Sequence, residues 1–410
     1  MKIRSITAGI QVGSPPQDQR LRRVADFLQA ARRACVSAGI EVQTVRVATQ
    51  PISESIPSGS AEEALDLALR LEEDCEQLAI EYCSLGPVLA DGPNASFQLL
   101  DVIPDIIGQT TRIFVSVLVA SCARGINIQA IRDTAKAIKR TSQINEDGFG
   151  NLRLAALANC QPHSPFFPAA YHAGQQDAFS VALESADLAV TAFSQAYTLD
   201  AARAELRTQI EEAAGRVETL LIEVGERHGF TFMGTDLSLA PFPADDRSIA
   251  NAVERLGVSH YGASGTLFVS ALIADVLRTA KAKKCGFSGL MYPLLEDSIM
   301  AQRSIDKTYT LDSLLLYSAV CGTGLDTIPL PGEISAGQLA GILLDVASLA
   351  TVLDKPLTAR LLPIPGKRAG ELTEFDFAYF SNARILDVTG SGVGGVLDRG
   401  SHISFSPLHP

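Results

Sequence analysis

Short, continuous apolar runs alternate along this chain with stretches of helical period. The apolar runs cover 3–10, 40–47, 80–84, 112–120, 152–159, 231–239, 286–293, 326–330 and 357–364. Most do not alternate between apolar and polar, which fits strands covered on both faces of a parallel or mixed α/β sheet. Segment 377–385 is a further strand candidate. Helical periodicity covers 18–38, 61–79, 126–141, 178–197, 200–228, 246–256, 266–283, 310–320 and 335–353. The last of these is apolar almost all round, predicting a helix buried between layers with Ser335 as its N-cap. Some nine strands with helical crossovers predict a large, closed or nearly closed α/β barrel with its helices outside. No low-complexity linker or internal repeat divides the chain. One barrel domain is expected over 1–381, followed by a Gly-rich, turn-rich tail at 382–410 that contains His402 and His409.

Composition narrows the class. The chain is 47% apolar and 20% charged, enough for a large core. A net charge of −12 argues against a nucleic-acid partner, which would call for clustered Lys and Arg. The one basic run, Lys281 to Lys284, ends a predicted helix and suits its C-terminal dipole. The seven cysteines form no C-x-x-C pair, against structural zinc or a disulfide framework. No secretory signal or long uncharged apolar stretch is evident, so a cytoplasmic protein without membrane association is expected. Homo-oligomerisation is the base-rate expectation.

Candidate chemistry sits where apolar runs end in Gly, Pro and acidic residues, because α/β folds place sites on loops after strands. Asp236 reads as a strand-end carboxylate able to act as base or metal ligand, or as a loop-ordering Asp. Glu296 and Asp297 read as a carboxylate pair with separated pKa values, or as the acidic start of a helix. Cys321 and Asp326 bracket Cys-Gly-Thr-Gly-Leu-Asp; the thiol is a nucleophile or an inert core residue, and Asp326 a site carboxylate. The turn Gly262-Ala-Ser-Gly-Thr266 precedes a helix, so Gly262, Ser264, Gly265 and Thr266 form either an anion-binding turn or a simple N-cap. Lys367 is a candidate point charge for the same anion or a solvated surface residue. His172, within a rigid apolar motif, is a general base or a core imidazole. His260 is a weaker candidate. A hard divalent cation is conceivable if Asp236, Glu296, Asp297 and Asp326 converge.

Several strings together resemble a known family. They are Asn159-Cys-Gln-Pro-His-Ser-Pro-Phe-Phe-Pro-Ala-Ala-Tyr-His172, Ala182-Leu-Glu-Ser-Ala-Asp187, Gly234 to Pro243, the Gly262 turn, Glu296-Asp297, Cys321 to Gly332 and Pro363 to Lys367. Over roughly 1–376 the chain resembles an uncharacterised prokaryotic family, domain of unknown function 711. The resemblance implies a fold similar to the ten-stranded α/β barrel of pyruvate formate-lyase and anaerobic ribonucleotide reductase; fold alone does not carry function. The family usually has Cys before its Gly-Ala-x-Gly turn, where this chain has His260 and Tyr261.

Three functions follow as expectations. The first is a non-radical lyase, isomerase or hydrolase using carboxylate and His acid–base chemistry on a small phosphorylated or carboxylated metabolite in a barrel cavity. The second is a non-catalytic metabolite-binding or sensor protein. The third, from the fold similarity alone, is a glycyl/thiyl radical enzyme with Cys321 and Gly390 in the two roles, although Asp387 and Ser391 replace the Arg and Tyr of the usual glycyl motif.

Overall fold

The computed structural model describes residues 1–13, 18–93 and 97–408; His409 lies outside them. Eleven strands form one mixed sheet: β1 (Lys2–Gly9), β2 (Val42–Ala48), β3 (Tyr82–Leu89), β4 (Ile113–Ser121), β5 (Gly125–Asn127), β6 (Leu154–Ala158), β7 (Ala178–Glu184), β8 (Thr231–Ala240), β9 (Gly324–Pro331), β10 (Leu357–Ile364) and β11 (His402–Ile403). The main path runs β8-β7-β1-β2-β3-β4-β6-β10-β9, with β5 pairing β4 and β11 to the side. The pairs β1–β2, β2–β3, β3–β4, β4–β6, β7–β8 and β9–β10 are parallel; β1–β7 and β6–β10 are antiparallel. The α/β class is therefore as expected from the apolar runs.

Strand ladders do not close this sheet. Among the described residues no hydrogen-bonded ladder joins the end strands β8 and β9. One segment runs between them and touches each once, through isolated bridges Thr235–Lys284 and Pro293–Asp326. The run 286–293 is expected to be a strand, but local chemistry prevents it. The Asp236 carboxylate accepts the N–H groups of Phe287 (2.7 Å) and Ser288 (2.9 Å), which a neighbouring strand's carbonyls would otherwise take. Gly286 sits at φ +60°, and a Cβ there would lie 2.1 Å from Asp236 Oδ2. The backbone is bent around the carboxylate instead of extended.

Two other expectations change. The helix predicted over 178–197 is instead strand β7 followed by a helix at Ala186–Gln195. Ala-Phe-Ser-Val-Ala-Leu-Glu is compatible with either state, and pairing with β1 on one side and β8 on the other outweighs its local preference. Segment 377–385 forms no strand; its one bridge is Leu372–Arg384.

Helices follow their sequence signals closely. Ser335 caps the helix Ala336–Val352 and forms a capping box with Gln338. Helix Thr266–Thr279 ends where Lys284 Nζ donates to the carbonyls of Arg278 (2.5 Å) and Ala280 (3.1 Å), so the basic run does serve a helix C-terminus. The tail does not stand apart. Ala383, Ile385 and Leu386 are buried in the main core, and β11 pairs with β5. Among the described residues no helix is long and apolar enough to cross a membrane.

The motif Asn159 to His172 packs on the sheet, with a cis Phe167–Pro168 bond. Its carbonyls would be unsatisfied there, but strand hydroxyls reach them. Ser5 and Thr7 of β1 donate to Pro165 O (3.0 and 3.1 Å), Ser84 of β3 to Ala170 O (2.7 Å) and Ser180 of β7 to His163 O (2.7 Å). This accounts for these four hydroxyls in otherwise apolar strands: each meets a carbonyl of the loop packed over them. Phe166 to Ala169 then form part of a cavity wall.

Candidate functional site

Residues two apart on a strand share a face. Thr44 and Arg46 of β2 and Thr358 and Arg360 of β10 therefore point the same way as neighbours on their own strands, and all four line one cavity. Arg4 of β1, Tyr82 of β3, Phe114 of β4 and Asp326 of β9 join them, with Glu296 from the turn Leu294–Glu296. Phe287, Met291, Phe377 and Tyr379 complete an apolar wall. The cavity volume is about 90 Å³. A water needs about 10–15 Å³ by the same measure, so the space suits a compact metabolite.

Its charges are arranged unequally. Arg360 Nη2 donates to Glu296 Oε1 at 2.8 Å and Arg360 Nε to Asp326 Oδ1 at 2.6 Å. Glu296 Oε2 accepts from Arg4, so both Glu296 oxygens are engaged. Arg4 also faces Glu184 (3.6 Å), which Arg247 approaches at 3.3 Å. Asp326 differs: among the described residues no donor reaches Oδ2, and the side chain lines the cavity. Burial works against the charge of Glu296, but Arg4 and Arg360 outweigh it and hold this carboxyl below its ordinary range. Burial lifts Asp326 above its ordinary range, the charge of Glu296 adds to the lift, and Arg360 offsets only part of it. One carboxylate is held charged while its neighbour is moved toward titration, the division an acid–base pair requires.

Arg46 is 8% exposed. Its Nε donates to Thr44 Oγ1 at 2.8 Å, and its guanidinium carbon lies 5.0 Å from the Phe167 ring centre and 5.5 Å from that of Tyr82. Among the described residues no acceptor meets its two terminal nitrogens. Burial and repulsion from Arg4 lower its pKa to about 10, which leaves it charged at neutral pH. The two terminal nitrogens therefore remain free to donate to an acceptor entering the cavity.

Of the sequence candidates, Glu296 and Asp326 come together here. Asp236 is fully buried and accepts from Ser238 (Oγ 2.6 Å, N 3.0 Å), Phe287 and Ser288, which is the loop-ordering role. Asp297 is also fully buried and does not face the cavity. It caps helix Ser298–Ile305 and also receives Ser248 Oγ and the Ile249 N–H. The carboxylate pair with divided properties is thus Glu296 with Asp326, because adjacent residues in this turn point to different surroundings. Cys321 is buried at the end of a helix, its carbonyl held by Lys355, outside the cavity lining. Gly390 is exposed, its carbonyl bonded to Gln338.

The anion-turn candidates lie elsewhere. The Gly262 N–H is taken by Thr266 Oγ1 (3.1 Å), Thr266 Oγ1 donates to Ala263 O (2.8 Å), and Ser264 and Gly265 are exposed. Lys367 pairs with Glu374 at 3.0 Å, away from the cavity lining. Tyr261 is fully buried among Tyr292, Tyr309 and Tyr317, with His260 beside it only half-buried. Asp236, Glu296, Asp297 and Asp326 do not converge, and among the described residues no three His, Cys, Asp or Glu side chains are placed to hold a metal. Sequence reading passed over Arg4, Arg46 and Arg360. The signal was a lone arginine inside an apolar strand run, as in Val45-Arg46-Val47 and Ala359-Arg360-Leu361.

His172 is fully buried outside this cavity, its Nε2 3.0 Å from Gly174 O and its ring 5.4 Å from that of His163. Burial first, then repulsion from His163 and Arg20, pushes its pKa down to about 4; the Gly174 carbonyl and Asp177 resist this. His163 is shifted the same way by burial. A depressed imidazole stays neutral when folded and takes up its proton on unfolding. Its contribution to stability is therefore complete above about pH 6.5 and is lost as pH falls toward 4. Urea unfolding at pH 7 and pH 5 should show His172→Gln losing about 2 kcal/mol less over that interval than the parent. Equal losses would show that His172 does not titrate in this way.

The fold and cavity define a mixed α/β protein with a small, cation-rich interior site. The chain belongs to the family described as uncharacterised ACR, DUF711, which matches residues 1–381. It is 30% identical to a UPF0210 protein of Methanopyrus kandleri, covering 95% of this chain and 91% of that one. A UPF0210 protein of Pyrobaculum islandicum is 32% identical, covering 85% of this chain and 80% of its own. One from Clostridium beijerinckii is 27% identical, covering all of this chain and 95% of its own.

Proposed function

We propose that this protein is a non-radical enzyme that uses carboxylate acid–base chemistry on a small anionic metabolite, inside a nearly closed α/β barrel. The barrel reading is supported by the 284–293 segment, which spans from β8 to β9 and meets each end strand at one bridge. The observation that carries the chemistry is the open Oδ2 of Asp326, in the same cavity as the unpaired edge of Arg46. Arg46 holds the anion. Asp326 takes a proton from the substrate at Oδ2 and returns it. Glu296 remains charged and, through the shared Arg360, fixes the Asp326 carboxyl in place. Among the described residues the lining contains no cysteine, and the histidine candidate His172 is outside it, so proton transfer falls to the carboxylates.

The test has two stages. Small carboxylates and phosphate esters are screened for a rise in Tm that disappears in Arg46→Met. Those that bind are then incubated with protein in D2O and followed by NMR for deuterium uptake or conversion. Asp326→Asn should keep binding within about threefold and lose 10²-fold or more of the exchange rate, on the order expected for a general base. Binding without exchange or conversion of any ligand would make this a binding protein and overturn the catalytic reading.

A further inference from the structure

We propose that the ligand of this cavity is a monocarboxylate with a compact apolar or aryl body, and not a phosphate ester. The inference rests on reading the cavity as an anion site and narrows what that anion is.

Charge sets the first limit. Three guanidinium groups line the cavity, from Arg4, Arg46 and Arg360, against two carboxylates, Glu296 and Asp326. With both carboxylates ionised, one negative charge is missing. A monocarboxylate supplies it. A phosphate monoester, carrying about −1.5 to −2 at neutral pH, would overshoot and set its extra charge beside the acceptor-only Oδ2 of Asp326.

Geometry sets the second. The Nε of Arg46 is used by Thr44, and two aromatic rings lie against the guanidinium. The terminal nitrogens are what remains, and they present a planar pair of donors. A carboxylate matches that edge with two parallel hydrogen bonds. The features that usually cradle phosphate are missing from this wall. Among the described residues the lining contains no glycine and no α-helix N-terminus, the settings that usually supply an array of backbone N–H groups for a third and fourth oxygen.

The wall sets the third. Phe114, Phe167, Phe287, Met291, Phe377 and Tyr379 make up much of the rest of the lining. Hydroxyls of a sugar or other polyhydroxyl body that faced these rings would lack partners, at a cost apolar contact does not recover. A phenyl ring or a branched alkyl chain fits this wall and the small volume.

Benzoate, phenylacetate and 3-methylbutanoate, with phenyl phosphate and benzamide as comparisons, test this by titration calorimetry on the full chain. At least one of the three carboxylates should bind ten times more tightly than phenyl phosphate, and benzoate ten times more tightly than benzamide. The benzamide comparison uses the unaltered protein, so it stands even if a variant folds poorly. Arg46→Met should lower carboxylate affinity at least tenfold, and Thr44→Val, which frees Nε, by a smaller factor. Phenyl phosphate binding as tightly as the carboxylates, with the same dependence on Arg46, would overturn the carboxylate assignment and leave the anion site standing. Failure of every anion to bind would overturn both. Equal binding of benzoate and benzamide would show that charge plays no part and overturn the proposal.

Discussion

Replacing Arg360 by leucine should destabilise the protein by about 3–5 kcal/mol in urea unfolding at pH 7. Arg360 is 7% exposed and is the shared partner of Glu296 and Asp326. Its removal leaves Asp326 without an ion-pair partner among the described residues, and leaves Glu296 with Arg4 alone. The cost arises mainly from these stranded charges, because an ionised group in a poorly solvated interior is unfavourable unless paired. The triple variant Arg360→Leu, Glu296→Gln, Asp326→Asn should therefore regain more than half of the loss, although it removes two further polar partners. Arg360→Lys should fall between, since one ammonium cannot reproduce the forked contact to two carboxylates. A loss below about 1 kcal/mol for the leucine variant, or no recovery in the triple variant, would show that the cluster is not coupled through Arg360.

A similar loss, about 3–5 kcal/mol, is expected for Asp297→Ala, for a different reason. This buried carboxylate accepts from Ser248 Oγ (2.5 Å) and from the backbone N–H groups of Ile249 (2.7 Å), Ala250 (3.3 Å), Ile299 (3.1 Å) and Met300 (3.0 Å). It thereby joins the start of helix Ile249–Arg255 to the start of helix Ser298–Ile305. Alanine would orphan donors at both helix ends at once, in a place water does not reach. Asp297→Asn keeps one accepting oxygen and should recover part of the loss. Because Asp297 is outside the cavity, benzoate affinity measured on folded Asp297→Asn should match the parent within twofold. A large change in affinity would show that the helix pair, and not the strands, positions the site.

These two carboxylates stand next to similar ones in the sequence, and their roles separate only in three dimensions. Glu296 and Asp297 are neighbours, yet one meets Arg4 and Arg360 and the other caps two helices. Asp236 and Asp326 both sit on strands that end the sheet. Asp236 has its oxygens filled by nearby N–H and O–H groups, whereas Asp326 keeps one oxygen open to a cavity. No local pattern shows that the remaining donors to Asp236 come from Phe287 and Ser288, or that the partner of Asp326 lies thirty-four residues away. The lone arginines inside apolar strands were passed over, although a buried guanidinium is costly without a purpose and the pattern was there to read. The glycine turn at 262–266 was visible too, but the N–H groups of Gly262 and Thr266 close on Thr266 Oγ1 and Ala263 O, away from the cavity lining.

Periodicity and caps are local properties, so the chain alone was enough for the α/β class, most helices, the capping by Ser335 and the basic helix end at Lys284. Family membership was legible for the same reason, as it rests on strings of residues. Pairing is not local. Whether 178–184 became strand or helix depended on the edges of β1 and β8, and 286–293 was bent by one carboxylate from another strand. The site followed the same rule. Arg4, Arg46, Glu296, Asp326 and Arg360 are spread over more than three hundred and fifty residues, and only the folding of four strands into one sheet, with the turn Leu294–Glu296 beside them, places them around a common cavity.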